Sequence, residues 1–301
     1  MPDWALFAVA QVGIRATSIC LSLTAETQQG SLSRCHARRG EREDPGAMTA
    51  ILKSIYRYPV KGLYAESLET APLTPGETLM HDRRFAIAHG STKFDVAAPK
   101  WQPKQNYIML TKDEKLAQLE TRFDPESEML TIFRNGKQVV RAKATDIMGR
   151  TLIGQFFAGY MGADARGTPR LVEAAGHSFS DVPEKVLSLI NLASIHDLER
   201  VLRQEVHPLR FRGNLYLEDL DPWEEMTWIG REVTIGTARL RIMEPIQRCA
   251  ATNVNPLTAE RDMNIPLTLR KGFRHMQMGV YAKVVAAGEI AKSDSLVLIE
   301  G

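Results

Sequence analysis

The sequence is expected to fold as an α+β protein that is mainly β, built as two tightly associated β-rich modules with a few short helices. Three observations point there. Short stretches of alternating or β-branched apolar residues recur from residue 48 onward, and such alternation places one strand face in a core. Turn pairs such as Asn135-Gly136 and Gly236-Thr237 separate several of them,. Stretches with helical periodicity are few. Many short strands with few helices argue for a closed or nearly closed sheet, which leaves no vulnerable edge.

Taken in order, residues 1–47 stand apart. Ala5 to Leu23 is apolar but broken by Gln11, Gly13, Arg15 and two serines, with no basic region before it. That argues against stable membrane insertion or a secretory signal. Arg38 to Gly46 is charged and ends in a turn, so 1–47 is expected to be a poorly ordered extension,. The first module is expected over 48–168 and the second over 169–301. Ile51 to Pro59, Leu79 to His89, Asn106 to Leu110, Leu130 to Phe133 and Gln138 to Arg141 read as strands. Asp146 to Tyr160 reads as a helix, and Gly159 to Gly167 as a linker,. In the second module, which begins near Arg170-Leu171-Val172, Leu187 to Ile190 is a strand. Ser194, with Asp197 three residues on, is expected to cap a helix striped by Ile195, Leu198 and Leu202,. Val233 to Ile242 is a hairpin, followed by strands over Val280 to Val285 and Ser295 to Ile299.

The charge is nearly balanced, with 38 Lys plus Arg against 36 Asp plus Glu. Nothing in that balance calls for nucleic acid or an acidic membrane as partner, so any anion site must be local. Cys20, Cys35 and Cys249 are widely spaced and form no CxxC pair. Neither a disulfide framework nor a structural zinc site is indicated, and a reducing, cytoplasmic location fits. No HExxH, GxSxG, Walker A or GxGxxG sequence occurs,. His177 and His275 lie in no metal-ligand pattern.

The most informative stretch is Pro245-Ile246-Gln247-Arg248-Cys249-Ala250-Ala251-Thr252-Asn253-Val254-Asn255-Pro256. It sets a thiol beside a guanidinium, and a neighbouring positive charge favours the thiolate, either as nucleophile or as metal ligand. The alternative is a small buried hydrophobe. Arg210-Phe211-Arg212-Gly213-Asn214 is the sharpest basic run. Read as extended, it turns Arg210, Arg212 and Asn214 to one side, where they suit a phosphate or a pterin edge; the alternative is a solvated strand face. Lys61 in a Pro-Val-Lys-Gly turn is either a phosphate contact or a surface lysine,. Arg83-Arg84 is a further basic pair, and Thr252 and Asn253 either orient a ligand or cap a turn,.

These residues carry a resemblance. From about Met48 to Gly301 the chain resembles the MOSC superfamily in its two-part form, and in particular its bacterial and mitochondrial amidoxime-reducing members. The matching stretches are Tyr58-Pro59-Val60-Lys61-Gly62, Asp82-Arg83-Arg84-Phe85, Pro169-Arg170-Leu171-Val172, Arg210 to Asn214, Arg248 to Pro256, and Pro266 to Arg270. The resemblance implies a β-barrel MOSC domain packed on an N-terminal β-barrel-like domain, and molybdenum cofactor (molybdopterin) as ligand. It implies Cys249 as the protein ligand to molybdenum and as the catalytic residue. Lys61, Arg83 or Arg84, Arg210, Arg212, Asn214, Arg248, Thr252 and Asn253 would contact the cofactor or line its pocket. Pyridoxal phosphate binding is a further term carried by the family.

The implied activity is reduction of small N-hydroxylated compounds, with electrons from a separate ferredoxin- or cytochrome-like protein, since four suitably spaced cysteines for an iron–sulfur cluster are missing,. Non-catalytic cofactor binding or delivery, and persulfide transfer through the same cysteine, are the alternatives. Four positions depart from the family pattern: Asn253 where Thr is usual, Asn255 where Asp is usual, Gly62 where Ser is usual, and Glu260 where Gly is usual.

Overall fold

The structure is a computed structural model that describes residues 49–299; the expected extension over 1–47 lies outside the described residues. The first module supplies β1 (Thr49–Arg57), β2 (Glu66–Leu68), β3 (Thr70–Leu73), β4 (Phe85–Ala88), β5 (Leu119–Asp124), β6 (Met129–Arg134), β7 (Lys137–Lys143) and α1 (Ile147–Met161). The second supplies β8 (Arg170–Glu173), β9 (Leu187–Asn191), α2 (Leu192–Leu202), β10 (Leu215–Glu218), β11 (Glu232–Ile235), β12 (Ala238–Gln247), α3 (Ile265–Phe273), β13 (Gln277–Ala286), β14 (Gly288–Ala291) and β15 (Ser295–Leu298).

Side-chain alternation closes the main sheet. Along β12, Ala238, Leu240, Ile242 and Ile246 are buried while Arg239, Arg241, Met243 and Gln247 are exposed. The hydrogen-bonded order β10-β9-β13-β12-β11-β15-β1, with β1 returning to β10, is a closed seven-stranded barrel, as expected for a MOSC β-barrel. Neighbours are antiparallel except β9 and β10. Leu52, Leu189, Leu217, Val233, Leu240, Val280 and Leu296 fill the interior, and burying each such side chain contributes about 1.5–3 kcal/mol.

The two modules exchange strands. Strand β1 sits between β15, with Thr49 opposite Val297, and β10, with Ile55 opposite Leu215. Strand β14 pairs with β3, and β8, at the expected junction, pairs with β4. The remainder of the first module is the β5-β6-β7 sheet covered by α1. Its β6–β7 hairpin turns on Asn135 and Gly136, both at positive φ (52° and 72°), as that residue pair favours. Asp146 caps α1 by accepting from the Gly149 N–H at 2.6 Å,.

Several local expectations need correction. The strand expected over Leu79–His89 is only Phe85–Ala88 and does not alternate. Phe85 and Ile87 enter one core and Ala86 and Ala88 another, so both of its faces are covered. The stretch Asn106–Leu110 is not a strand: a 3₁₀ turn over Lys104–Asn106 leads to a single bridge from Tyr107 to Ala88. The Gly159–Gly167 linker is instead the end of α1 and a packed 3₁₀ turn with Ala165 buried. Asn191, not Ser194, caps α2, because the buried Ser194 hydroxyl is bonded to Glu225 at 3.0 Å. Among the described residues, no helix is long and apolar enough to cross a membrane.

Candidate cofactor site

Strand β12 runs out at Gln247, and the chain then turns under a thiol. Cys249 is extended, and a 3₁₀ turn over Ala250–Asn253 follows it. Thr252 closes that turn: its N–H and its hydroxyl both donate to the Cys249 carbonyl, at 3.1 and 2.9 Å. The sulfur itself faces the first module. Thr111 Oγ1 lies 3.7 Å from Sγ, and Lys104 reaches the sulfur as charge and hydrogen-bond donor. Burial pushes the Cys249 thiol up, but the Ala251 N–H, the Lys104 charge and the Thr111 hydroxyl outweigh it, and the group ionises below the ordinary thiol value. These neighbours favour ionisation, which purely apolar surroundings would oppose.

The thiol opens on a cavity of about 600 Å³ between the two modules. Lys61, Arg83, Lys104 and Thr111 line it from the first module, and Arg212 and Cys249 from the second. Lys61 is buried and donates to the Phe179 carbonyl at 2.8 Å and to Asp181 at 2.5 Å. Burial pulls the Lys61 ammonium below its usual range, and Asp181 opposes that pull. Burial would raise the Asp181 carboxyl, but Lys61 outweighs it and holds the group at about 2. Arg83 pairs with Asp82 and donates to the Arg212 carbonyl at 3.1 Å. Arg212 donates to the Leu63 carbonyl at 2.7 Å, and its charge is met at longer range by Asp181 and Asp82.

The other expected residues shape the cavity with bonds already committed. Arg210 is buried, forks onto Asp262 with two contacts of 2.7 Å, and also reaches the Thr252 and Asn253 carbonyls. Arg248 spends its guanidinium on the carbonyls of Met278 and Phe211. Asn214 accepts from the Ser188 N–H and hydroxyl and donates to the Tyr56 carbonyl. All three still line the cavity, as does Thr252. Two expected residues do not line it. Arg84 is tied to Glu173 and Glu128, and the Asn253 side chain accepts the Ile265 N–H at the start of α3.

The reason first given for the arginine run also needs correction. Arg210 to Asn214 is not extended: a 3₁₀ turn spans Pro208–Phe211 and Arg212 is left-handed at φ 51°. Gly213 follows, where a Cβ would lie 2.4 Å from the Ile190 side chain. The turn, not strand alternation, carries these residues to the cavity. Asn255 lies outside the lining and donates to Asp262 at 2.8 Å; an aspartate there would face that carboxylate.

Sequence reasoning missed Lys104, Thr111 and Asp181. Lys104 and Thr111 flank the stretch misread as a strand, and Asp181 sits in Ser178-Phe179-Ser180-Asp181-Val182-Pro183, whose polar turn composition is the signal that was there to find,.

Two family models match the chain in tandem: the MOSC N-terminal beta barrel domain over residues 49–165 and the MOSC domain over residues 176–297. The chain belongs to the MOSC superfamily. This MOSC protein is 26% identical over 244 residues to a molybdenum cofactor sulfurase of Caenorhabditis briggsae, a match covering 76% of this chain and 33% of that protein. It is 33% identical over 88 residues to mitochondrial amidoxime reducing component 2 of Rattus norvegicus, covering 29% of this chain and 25% of that protein. The chain thus spans about a third of the length of the sulfurases it matches. Among solved structures, the YUAD protein from Bacillus subtilis aligns at a TM-score of 0.39 and 10% identity, over 83% of this chain and 96% of that one.

Proposed function

We propose that this MOSC protein binds molybdenum cofactor in the cavity between its modules and reduces small N-hydroxylated compounds, using electrons from a separate ferredoxin- or cytochrome-like protein. The observation that carries this reading is the pairing, in one cavity, of a thiol held toward its ionised form with the basic residues Lys61, Arg83 and Arg212. A soft thiolate suits molybdenum, and a cluster of cationic donors suits the phosphate of a pterin. Among the described residues no group of three or more His, Cys, Asp or Glu could hold a metal ion, so the fit is to a metal that arrives with its own ligands and takes one from the protein.

When bound, the cofactor supplies the redox chemistry of N–O cleavage, which consumes two electrons and two protons and releases water. The chain's residues do the rest. Cys249 supplies the sulfur ligand, while Thr111 and Lys104 hold that sulfur from across the module boundary,. Lys61, Arg83 and Arg212 take the phosphate. Arg210, Arg248, Asn214 and Thr252 fix the walls through bonds to backbone and to Asp262. A reducing, cytoplasmic setting keeps the thiol available.

A second reading has an observation in its favour. The relatives that cover most of this chain are named molybdenum cofactor sulfurases, and a thiolate among cations is also the chemistry of a persulfide carrier. Metal and pterin analysis of protein from a molybdenum-replete host separates the readings. Stoichiometric molybdenum with viologen-driven N-reduction supports the enzyme. Bound cofactor without turnover supports a carrier, and persulfide on Cys249 without metal supports sulfur transfer. Cys249→Ser is expected to fold, keep part of its pterin and lose N-reduction. Full activity with an unchanged molybdenum spectrum in that variant would show that Cys249 is not the ligand.

A further inference from the structure

Tyr58 does not line the cavity, yet two guanidiniums that do line it rest on its ring. The guanidinium carbons of Arg83 and Arg212 lie 4.8 and 4.3 Å from the ring centroid, inside the roughly 6 Å reach of a cation–π contact. The ring is 1% exposed, so neither contact is diluted by water. Tyr58 is also bonded into both loops that deliver these arginines. Its N–H donates to Asp82 at 2.7 Å, and its carbonyl accepts the Arg83 N–H at 2.7 Å. Its hydroxyl donates to the carbonyl of Gly213, the residue after Arg212, at 3.2 Å.

The arrangement is costly for two like charges. Asp82 pairs directly with Arg83, whereas Arg212 meets Asp181 and Asp82 only as longer-range charges. The two guanidiniums still repel each other despite those carboxylates, and something must hold them together. The negative face of an aromatic ring is suited to that, because it attracts both without neutralising either. What remains is a pair of guanidiniums with donors toward the cavity and a net charge still to be matched.

We propose that Tyr58 is a positioning residue, whose ring sets the spacing of Arg83 and Arg212 so that the two share one dianionic phosphate group. The inference rests on the anion-binding reading of the cavity given above.

The test uses the full-length protein and inorganic phosphate as probe. In the unchanged protein, the Nε–H NMR signals of Arg83 and Arg212 are expected to lie upfield from the ring and to move together as phosphate is added. Calorimetry should find Tyr58→Phe within about twofold of the unchanged protein and Tyr58→Leu weaker by about tenfold. Loss in the Leu variant with rescue by Phe is not what simple loosening of a buried hydroxyl network produces. Equal loss in both variants would assign the effect to the hydroxyl and overturn the role of the ring. So would movement of one arginine signal without the other, a result that needs no variant to fold. If phosphate moves neither signal, the anion-binding reading itself fails, and the sharing of one phosphate falls with it.

Discussion

The ionisation of Cys249 is set by one neighbour in sequence, Ala251, and by two residues far from it, Lys104 and Thr111. Burial works against the thiolate, and the Ala251 N–H, Lys104 and Thr111 reverse the balance. Removing Lys104 takes away a positive charge that lowers the thiol value, so Lys104→Met should raise the pH at which Cys249 of the metal-free protein is alkylated. Iodoacetamide labelling, followed on the peptide that contains Cys249, measures this; an unmoved pH profile would exclude Lys104 from the site. Asp181 gives a prediction of stability. Burial raises its carboxyl, Lys61 outweighs that, and the folded value is held at about 2, against about 3.9 for an unfolded aspartate. A depressed folded value means the stabilisation is complete above about pH 4 and is lost as pH falls toward about 2. Asp181→Asn should therefore lose less stability across that interval than the unchanged protein in denaturant titrations. The carboxylate is half-exposed, which keeps the difference modest. Parallel curves for the two proteins would rule out the linkage.

Elements whose signals are local were legible from sequence. The hairpins at Asn135-Gly136 and Gly236-Thr237, the helix behind Asp146 and the alternation of β12 each depend on a few adjacent residues. What escaped was set by distant packing. Phe85–Ala88 hides its period because cores cover both faces, and Arg212 turns left-handed where Gly213 must pass against Ile190. Cys249, Lys61, Arg83 and Arg212 could be picked out because a thiol beside a guanidinium, the basic runs and their likeness to MOSC motifs stand out in the sequence. Lys104, Thr111 and Asp181 looked ordinary until the modules met. One strand position joins fold and site. Gly279 in β13 has φ 71°, and a Cβ there would lie 2.3 Å from the Leu189 carbonyl. It follows Met278, whose carbonyl holds Arg248. Gly279→Ala should destabilise the protein by about 1–3 kcal/mol through overpacking, with added strain at positive φ. Urea unfolding measures it, and a midpoint equal to that of the unchanged protein would contradict the crowding.

The MOSC domain match begins at residue 176, but the barrel does not. Strand β1 fills the gap between β10 and β15, and β3 pairs with β14. A fragment over 176–301 would expose two strand edges around a missing seventh strand. It is expected to show no cooperative melt alone and to recover one when co-expressed with residues 1–175. A cooperative transition from the isolated fragment would show that β1 is dispensable. The same closure sets a timetable. Thr49 meets Val297, so β1 leaves the ribosome long before the strand that will lie beside it exists, and the ring stays open until almost all of this sequence has been made. Pairings between such distant segments slow folding into the range of milliseconds to seconds or beyond. Throughout that wait the part of β1 not paired with β2 has open backbone groups and apolar residues in water, which exposes the newborn chain, more than the finished protein, to aggregation.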